Sequence, residues 1–250
     1  MLTIRQQPLL ITDFDGTLYR GDAPLWHYAQ RAAHRLAAGE ARELLDGLDR
    51  YLGRGAVELP EAIDGWEAVA VLGRRHGLDE AALESAFSET RDYMAGPGCE
   101  LEVPSAYAEL LVRLRAEGVR VVLATNSPAD GLDALLRRLD VLPLLDRVVA
   151  GTGKPAGLER LLRRELGLPV TAAADAPVDP QAAADGARLL VIGDHWRNDI
   201  EPGLRLGAVS AYIDRFGRAD GPAHAIAPRV EDLLESIRNW AGVRPTADRS

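Results

Sequence analysis

The stretch Leu9-Leu10-Ile11-Thr12-Asp13-Phe14-Asp15-Gly16-Thr17-Leu18 joins an apolar run to two aspartates near the N-terminus of the chain. The apolar residues, bounded by Pro8 and Gly16, predict a buried β-strand over residues 9 to 14. Asp13 and Asp15 occupy alternate positions and therefore share one face of that strand. Neighbouring carboxylates repel each other and raise each other's pKa unless a cation lies between them. An ordinary polar turn explains Asp15 and Gly16, but it gives no reason for Asp13.

Length, charge and cysteine content limit the class of protein. A chain of 250 residues can bury a sizeable core, either as one large α/β domain or as a domain with an insertion. The net charge of -9 argues against a nucleic-acid partner or an anionic membrane, because both require a basic excess. The single cysteine, Cys99, excludes an intrachain disulfide and fits a reducing compartment. Since the sequence shows no signal-peptide pattern and no membrane-length apolar run, we expect a cytoplasmic protein. The oligomeric state stays open between a monomer and a homodimer.

Residues 25 to about 94 show the helical spacing of apolar side chains and almost no strand pattern. The spacing predicts four helices, within residues 25–36, 41–52, 62–72 and 82–87, that form a small bundle inserted after the first strand. Trp26, Trp66 and Phe87 lie in these helices. We interpret them as core residues, with the lining of a substrate pocket as the alternative.

Beyond the Ala-Gly-Pro-Gly sequence at 95–98, which suits a hinge, strands and helices alternate. Strands are predicted at 119–124, 146–150, 188–192 and, as the last strand, 208–213. Helices are predicted at 104–117, 129–139, 155–166 and 230–240, and one more ends near Leu206. This order is typical of an α/β fold with a parallel sheet and right-handed crossovers. The Ala-, Asp- and Pro-rich residues 169–187 predict a surface loop with no catalytic role.

Polar residues follow four of the predicted strands, and they are Asp13, Thr125, Lys154 and Asp194. In a parallel α/β sheet, ligands bind beyond the carboxyl ends of the strands, where the strand order reverses. We therefore expect these four side chains to converge on one site.

The chemistry of this group favours a divalent cation. Asp13, Asp15, Asp194 and Asp199 would concentrate negative charge in one crevice, and all-oxygen ligands suit Mg²⁺. His195 stands alone beside Asp194, so we interpret it as a supporting or surface residue rather than a metal ligand.

Such a set of residues matches phosphoryl transfer through a covalent carboxyl phosphate. One carboxylate attacks phosphorus, while Mg²⁺ and Lys154 neutralise the charge and Thr125 supplies a hydroxyl donor. Asp15, two residues from Asp13, is placed to protonate the leaving oxygen. It then acts as the base on the water that hydrolyses the intermediate.

Four motifs in this order resemble those of the haloacid dehalogenase (HAD) superfamily, in its phosphatase-like branch with a helical, C1-type cap. They are Asp13-Phe14-Asp15-Gly16-Thr17, Ala124-Thr125-Asn126-Ser127, Gly153-Lys154-Pro155, and Gly193-Asp194 with Asp199. The resemblance covers nearly the whole chain. It implies a Rossmann-like, HAD-like α/β core of residues 1–19 and 97–250, with residues 20–96 as an inserted α-helical cap domain. It also implies that the strands bearing Asp13 and Asp194 are neighbours.

The resemblance also implies a function and a set of roles. The function is Mg²⁺-dependent hydrolysis of a small phosphorylated metabolite through an aspartyl-phosphate, with Asp13 as nucleophile and Asp15 as general acid/base. Asp199 is implied to act outside the metal's ligands, through a water or through Lys154. The implied catalytic residues are Asp13, Asp15, Thr125 and Lys154. The implied substrate ligands are Asp13, Thr125, Asn126 and Lys154. The implied metal ligands are Asp13, the main-chain carbonyl of Asp15, and Asp194.

Several alternatives remain open at this point. A phosphomutase similar to β-phosphoglucomutase would keep every motif residue, and a catalytically silent binding module is possible on the same scaffold. Dehalogenases of the superfamily lack the second acid of the first motif, so Asp15 speaks against that activity. A dinucleotide-binding domain is disfavoured, because no Gly-x-Gly-x-x-Gly follows the first strand. The bulky His195-Trp196-Arg197 departs from the small or polar residues usual there, and we expect it to shape the mouth of the site.

Overall fold

The protein is described by a computed structural model over residues 7–170 and 185–242. Its centre is a six-stranded parallel sheet in the order β3-β2-β1-β4-β5-β6. The strands are β1 (Leu9–Thr12), β2 (Arg120–Ala124), β3 (Arg147–Val149), β4 (Leu189–Gly193), β5 (Val209–Ile213) and β6 (Ala225–Ala227). The predicted α/β fold with a Rossmann-like parallel sheet is confirmed. Most of the predicted 169–187 loop, residues 171–184, lies outside the described residues.

Helices flank the sheet and fill the stretch between β1 and β2. They are α1 (Ala23–Ala33), α2 (Ala38–Arg54), α3 (Gly65–Arg75), α4 (Glu80–Ala95), α5 (Ser105–Ala116), α6 (Leu132–Arg138), α7 (Ala156–Leu166), α8 (Glu201–Arg205) and α9 (Leu234–Ala241). A π-helical turn, Trp196–Ile200, leads directly into α8. No helix among the described residues is long and apolar enough to cross a membrane.

The strand order reverses between β1 and β4, which are hydrogen-bonded neighbours, as predicted. From β1 the chain continues outward to β2 and β3 on one side, and from β4 to β5 and β6 on the other. Such a reversal leaves a crevice at the carboxyl ends of the two central strands. Asp13 directly follows β1, and Asp194 directly follows β4. The fold therefore places both aspartates at this crevice.

Both faces of the sheet are buried, which explains the nearly continuous apolar strands. Along β1, Leu10 packs in a cluster with α5, α6 and α9. Its neighbours Leu9 and Ile11 pack on the opposite face against α7 and α8. This alternation makes β1 the centre of the molecule and holds the residue that follows it in a rigid position.

The four predicted helices between β1 and β2 are confirmed as α1 to α4, and they pack around an apolar cluster of their own. An aspartate caps the start of α3, where the Asp64 carboxylate accepts a hydrogen bond from the Glu67 N–H. This helical segment also contacts the sheet side of the molecule. Arg215, after β5, pairs with Asp22 at 2.8 Å from two nitrogens. The division into a core and a separate cap domain stays a prediction.

The prediction that β5 is the last strand is wrong, because β6 pairs with it in parallel at the sheet edge. Strand β6 has only three residues, and the side chain of Ile226 at its centre is exposed. A three-residue strand whose apolar side chain points outward is too short to show the alternation of apolar and polar residues that predicts a strand. For this reason β6 was not predicted from the sequence.

Candidate active site

Asp13 is held at the end of β1 by its main chain. Its N–H donates to the Ile192 carbonyl of β4 at 2.9 Å. The Thr12 hydroxyl donates to the Asp13 carbonyl at 2.9 Å and accepts a hydrogen bond from the buried Tyr107 hydroxyl at 3.1 Å. Hydrogen bonds with β4, with Thr12 of β1 and, through Thr12, with Tyr107 of α5 therefore hold the backbone of Asp13 in place. Its side chain projects from this rigid support.

Lys154 bridges two of the aspartates. Its Nζ lies 2.5 Å from Asp13 Oδ1 and 2.6 Å from Asp199 Oδ1, and only 4% of its side chain is exposed. Burial lowers the pKa of the Lys154 ammonium, but the Asp13 and Asp199 carboxylates outweigh that effect and the net shift is upward. Lys154 is therefore a permanent positive charge beside Asp13.

Asp194 lies over the loop that follows β1, and it depends on a glycine there. A Cβ atom at Gly16 would stand 2.1 Å from Asp194 Oδ2, and the φ of Gly16 is +72°, in the left-handed region. Both the space and the backbone conformation require glycine at this position. The glycine of the first motif thus lets the Asp194 carboxylate approach the loop that carries Asp13 and Asp15.

Carboxylate oxygens of Asp13, Asp194 and Asp199 lie within 4.8 Å of one another. Burial, partly opposed by Lys154, raises the pKa of Asp13 from its ordinary 3.8 to about 7, and the Asp199 charge adds to the rise. Burial and the Asp13 charge likewise raise the pKa of Asp194 well above its usual range. Such carboxyls are poorly compensated by protein charges alone.

This donor set fits a magnesium ion. Asp199 is already engaged by Lys154 and by the His195 N–H, which donates to its Oδ2 at 3.0 Å. The side chains left to hold a cation are those of Asp13 and Asp194, and their hard oxygen atoms suit Mg²⁺. Asp199 contacts Lys154, one of the two routes expected for it, and its place outside the metal's ligands stays a prediction.

The Asp15 side chain is turned toward two hydroxyl donors. The Tyr19 hydroxyl donates to Asp15 Oδ1, and the Ser127 hydroxyl donates to Oδ2 at 3.1 Å. The Asp15 carboxylate is not part of the cluster that Asp13, Asp194 and Asp199 form, so the main-chain carbonyl is the candidate metal ligand of Asp15. Neither hydroxyl contact was predicted from the sequence. The spacing of four residues between Asp15 and Tyr19 predicts this contact only when the turn that follows β1 is already known.

Thr125 and Asn126 complete the loop after β2. The Thr125 hydroxyl, which is buried, accepts a hydrogen bond from the Ser127 N–H at 3.0 Å, so its own proton is free to point elsewhere. The Asn126 Oδ1 accepts a hydrogen bond from the Lys154 N–H at 2.7 Å. Asn126 therefore ties the loop of the second motif to the loop that carries Lys154, a structural contact that the sequence did not predict.

A cavity of about 1100 Å³ opens over these residues, between the sheet edge and the helical segment. Every predicted site residue lines it: Asp13, Asp15, Thr125, Asn126, Lys154 and Asp194. Trp66 and Phe87 also line the cavity, with ring centroids 5.4 Å apart, whereas Trp26 packs only in the helical cluster. The core interpretation is thus incomplete for Trp66 and Phe87. His195 lies in the wall as well, with Nδ1 accepting a hydrogen bond from the Asn198 N–H at 3.2 Å.

A family model for haloacid dehalogenase-like hydrolases matches residues 8–207. The chain therefore belongs to the haloacid dehalogenase-like hydrolase family, as the four motifs predict. A comparison with curated protein sequences gave no match.

Solved structures confirm the fold at low identity. The HAD-hydrolase YfnB from Bacillus subtilis, described as bound to magnesium, has a TM-score of 0.57 at 16% identity, with 93% of this chain and 99% of that chain covered. A predicted phosphoglycolate phosphatase from Haemophilus somnus has a TM-score of 0.60 at 18% identity, covering 93% and 98%. The L-2-haloacid dehalogenase RSc1362 has a TM-score of 0.53 at 17% identity, covering 93% and 99%. Fold likeness to both a phosphatase and a dehalogenase leaves the reaction to be argued from the site.

Proposed function

We propose that this hydrolase is a Mg²⁺-dependent phosphatase that cleaves a small phosphorylated metabolite through an aspartyl-phosphate. The observation that carries the proposal is the pair of Asp13 and Asp15 in one cavity with different surroundings. Asp13 is buried against Lys154, whereas Asp15 is held by two hydroxyl groups. Two carboxyl groups in different environments are suited to different roles in one reaction.

In the first step, an Asp13 oxygen forms a bond to phosphorus as the bond to the leaving oxygen breaks. Asp15 donates a proton to that leaving oxygen. Lys154 holds positive charge beside Asp13, and Thr125 offers its hydroxyl proton to the phosphoryl oxygens. Mg²⁺, held by Asp13, Asp194 and the Asp15 carbonyl, would supply charge neutralisation for the transferred group.

In the second step, Asp15 takes a proton from a water molecule, and the water oxygen attacks phosphorus. The Asp13–phosphorus bond breaks, so phosphate leaves and the Asp13 carboxylate is restored. Because burial raises the pKa of Asp13 to about 7, the nucleophile needs a nearby cation to stay ionised at neutral pH. The helical segment, residues 20–96, would act as a cap that limits access of bulk water to this chemistry.

Asp15 distinguishes this proposal from dehalogenation. A halide leaves without a proton, so a dehalogenase has no use for an acid at this position. An alkoxide leaving group, in contrast, needs a proton to depart at neutral pH. Asp15 lines the cavity beside Asp13 and is fixed by Tyr19 and Ser127, which is the arrangement that an ester substrate requires.

The test is release of phosphate from 4-nitrophenyl phosphate with Mg²⁺ by wild type, Asp13→Asn and the control Asp46→Asn. Asp46 lies exposed on α2, away from the cavity. We expect wild-type turnover in the control and a loss of at least about 1,000-fold in Asp13→Asn, as for removal of a nucleophile. Equal rates in all three proteins would refute the proposal.

Two further outcomes identify the alternatives. A phosphomutase would need a bisphosphate activator and would release little free phosphate from a sugar monophosphate. A binding module would show stabilisation by the phosphate ester without turnover. Chloride release from a 2-chloro acid, in the absence of phosphatase activity, would identify a dehalogenase.

A further inference from the structure

Four arginines line the cavity, and three of them are neutralised by carboxylates. The exception is Arg91, on α4, which has no carboxylate partner within residues 7–170 and 185–242. Within the part of the chain that the structure describes, the one hydrogen-bond acceptor of its guanidinium is the weak Met94 Sδ, 3.7 Å from Nη1. The neutralised pairs are Arg20 with Glu102 and Glu231, Arg215 with Asp22, and Arg229 with Asp232.

Arg91 is only partly exposed, so its charge is not simply a solvated surface charge. Burial costs a guanidinium part of its hydration, and an unpaired one gains nothing in return. The other three cavity arginines each have a carboxylate within 3.3 Å, although their side chains are 39–62% exposed. A ligand that carries an oxyanion would neutralise the Arg91 guanidinium as the carboxylates neutralise the other three.

Arg91, Tyr19 and Asp15 line the same cavity. The Tyr19 hydroxyl donates to Asp15, the acid that protonates the leaving oxygen in the proposed reaction. Arg91 contacts Met94, and Met94 packs in the same apolar cluster as Tyr19.

The wall next to Arg91 is apolar. Phe87 lies one helical turn before Arg91 on α4, and its ring meets the Trp66 ring edge to face. Leu25, at the start of α1, lies in the same wall. A leaving group seated there would place carbon atoms against the aromatic rings and present its charge to the guanidinium.

We propose that Arg91 binds an oxyanion, either a carboxylate or a second phosphate, on the leaving group of the phosphomonoester substrate. The inference rests on the proposed phosphatase function and narrows its substrate class. The planar guanidinium fork matches both oxyanions with two parallel hydrogen bonds, which an ammonium group does not offer. Arg91 is thus a residue that determines specificity for the group beyond the phosphoester, with no part in the bond-breaking step.

The test compares ligands of matched shape and different charge. The probes are 4-carboxyphenyl phosphate, its neutral amide 4-carbamoylphenyl phosphate, and 1,4-phenylene bisphosphate. Their binding is measured by calorimetry with Mg²⁺ in an Asp13→Asn protein, with and without Arg91→Gln, so that turnover does not interfere. Arg91→Lys is a second variant, and Arg74→Gln is the control because Arg74 pairs with Glu80 on the exposed side of α3.

We expect Arg91→Gln to weaken binding of at least one of the two charged probes about tenfold, which corresponds to about 1.4 kcal/mol. Binding of the neutral amide stays unchanged, Arg91→Lys shows a smaller loss, and Arg74→Gln shows none. The charged probe that loses more affinity identifies the oxyanion. Unchanged affinity for both charged probes, or an equal loss for the amide, overturns the proposal.

Kinetics separate this inference from the proposed function. In the enzyme with Asp13 intact, Arg91→Gln should raise KM for the charged ester and leave kcat/KM for the amide unchanged. If wild type turns over neither ester yet binds the charged probe through Arg91, the phosphatase function fails and the anion site stands. If both esters turn over with the same kcat/KM and Arg91→Gln changes neither value, the anion site fails and the phosphatase function stands.

Discussion

Asp13, the nucleophile of the proposed reaction, is expected to lower the stability of the metal-free protein. The side chain is almost fully buried, and burial raises its pKa from 3.8 to about 7 even though Lys154 pulls it downward. Above pH 7, folding therefore transfers a carboxylate from water into a site that compensates it incompletely. We predict that Asp13→Asn, which keeps the shape and removes the charge, is more stable than wild type at pH 8 without divalent ions.

The size of the effect follows from the shift in pKa. The folded pKa of Asp13 lies above its unfolded value, so the folded protein binds more protons between about pH 4 and pH 7. The stability contributed by the protonated group is complete below pH 4 and is lost as the pH rises through 7. The shift in the pKa of Asp13 from 3.8 to about 7 lowers the free energy of unfolding by at most about 4 kcal/mol at pH 8. At pH 5 the loss is less than half of that.

The assay is urea unfolding of wild type, Asp13→Asn and the exposed control Asp46→Asn, at pH 5 and pH 8 with a chelator present. The free energy of unfolding of Asp13→Asn should exceed that of wild type at pH 8, and the gap should narrow at pH 5. The control should follow wild type at both values. A variant less stable than wild type by the same amount at both pH values would show that the attraction of Lys154 outweighs burial.

Two further predictions concern the residues around the aspartates. Tyr19→Phe removes one hydroxyl that donates to Asp15, so kcat for an alkyl phosphate should fall about tenfold. The kcat for 4-nitrophenyl phosphate should change less, because its leaving group needs little protonation. Equal losses for the two substrates would contradict a role of Tyr19 through Asp15. Gly16→Ala forces a Cβ atom to 2.1 Å from Asp194 Oδ2. A Mg²⁺ titration of this variant should show weaker affinity, and its free energy of unfolding should fall by about 1–3 kcal/mol. The control Gly53→Ala, which has open space around the added Cβ, should bind Mg²⁺ like wild type.

The sequence predicted the centre of the fold and the site because both follow from local rules. An apolar run that ends in aspartate identifies β1 and β4, and parallel strands bring their carboxyl ends to one edge. Asp13 and Asp194 therefore meet wherever those strands are neighbours. Six site residues line one cavity for this reason, although they come from four separate segments of the chain.

The contacts that the sequence did not predict depend on packing between segments. Tyr19 reaches Asp15 only because the loop after β1 turns back on itself, and Arg91 reaches the cavity only because α4 packs beside that loop. Trp26 and Trp66 both follow helical spacing, yet Trp66 faces the cavity and Trp26 does not. Periodicity identifies the buried side of a helix, but it does not say which part of that side meets a ligand.

The charges of the cavity connect the metal, the substrate and the leaving group. Asp13 and Asp199 share Lys154, and Asp194 adds a third carboxylate within 4.8 Å, so an approaching phosphate ester would meet excess negative charge beside Lys154. A divalent cation held by Asp13 and Asp194 would remove that excess, and the phosphoryl group would then add charge of the sign that the cation favours. Cation and ester should therefore each strengthen the binding of the other, since linkage is reciprocal. In the proposed binding mode, Arg91 supplies positive charge at the far end of the ester, beyond Asp13, Asp194 and a cation bound to them.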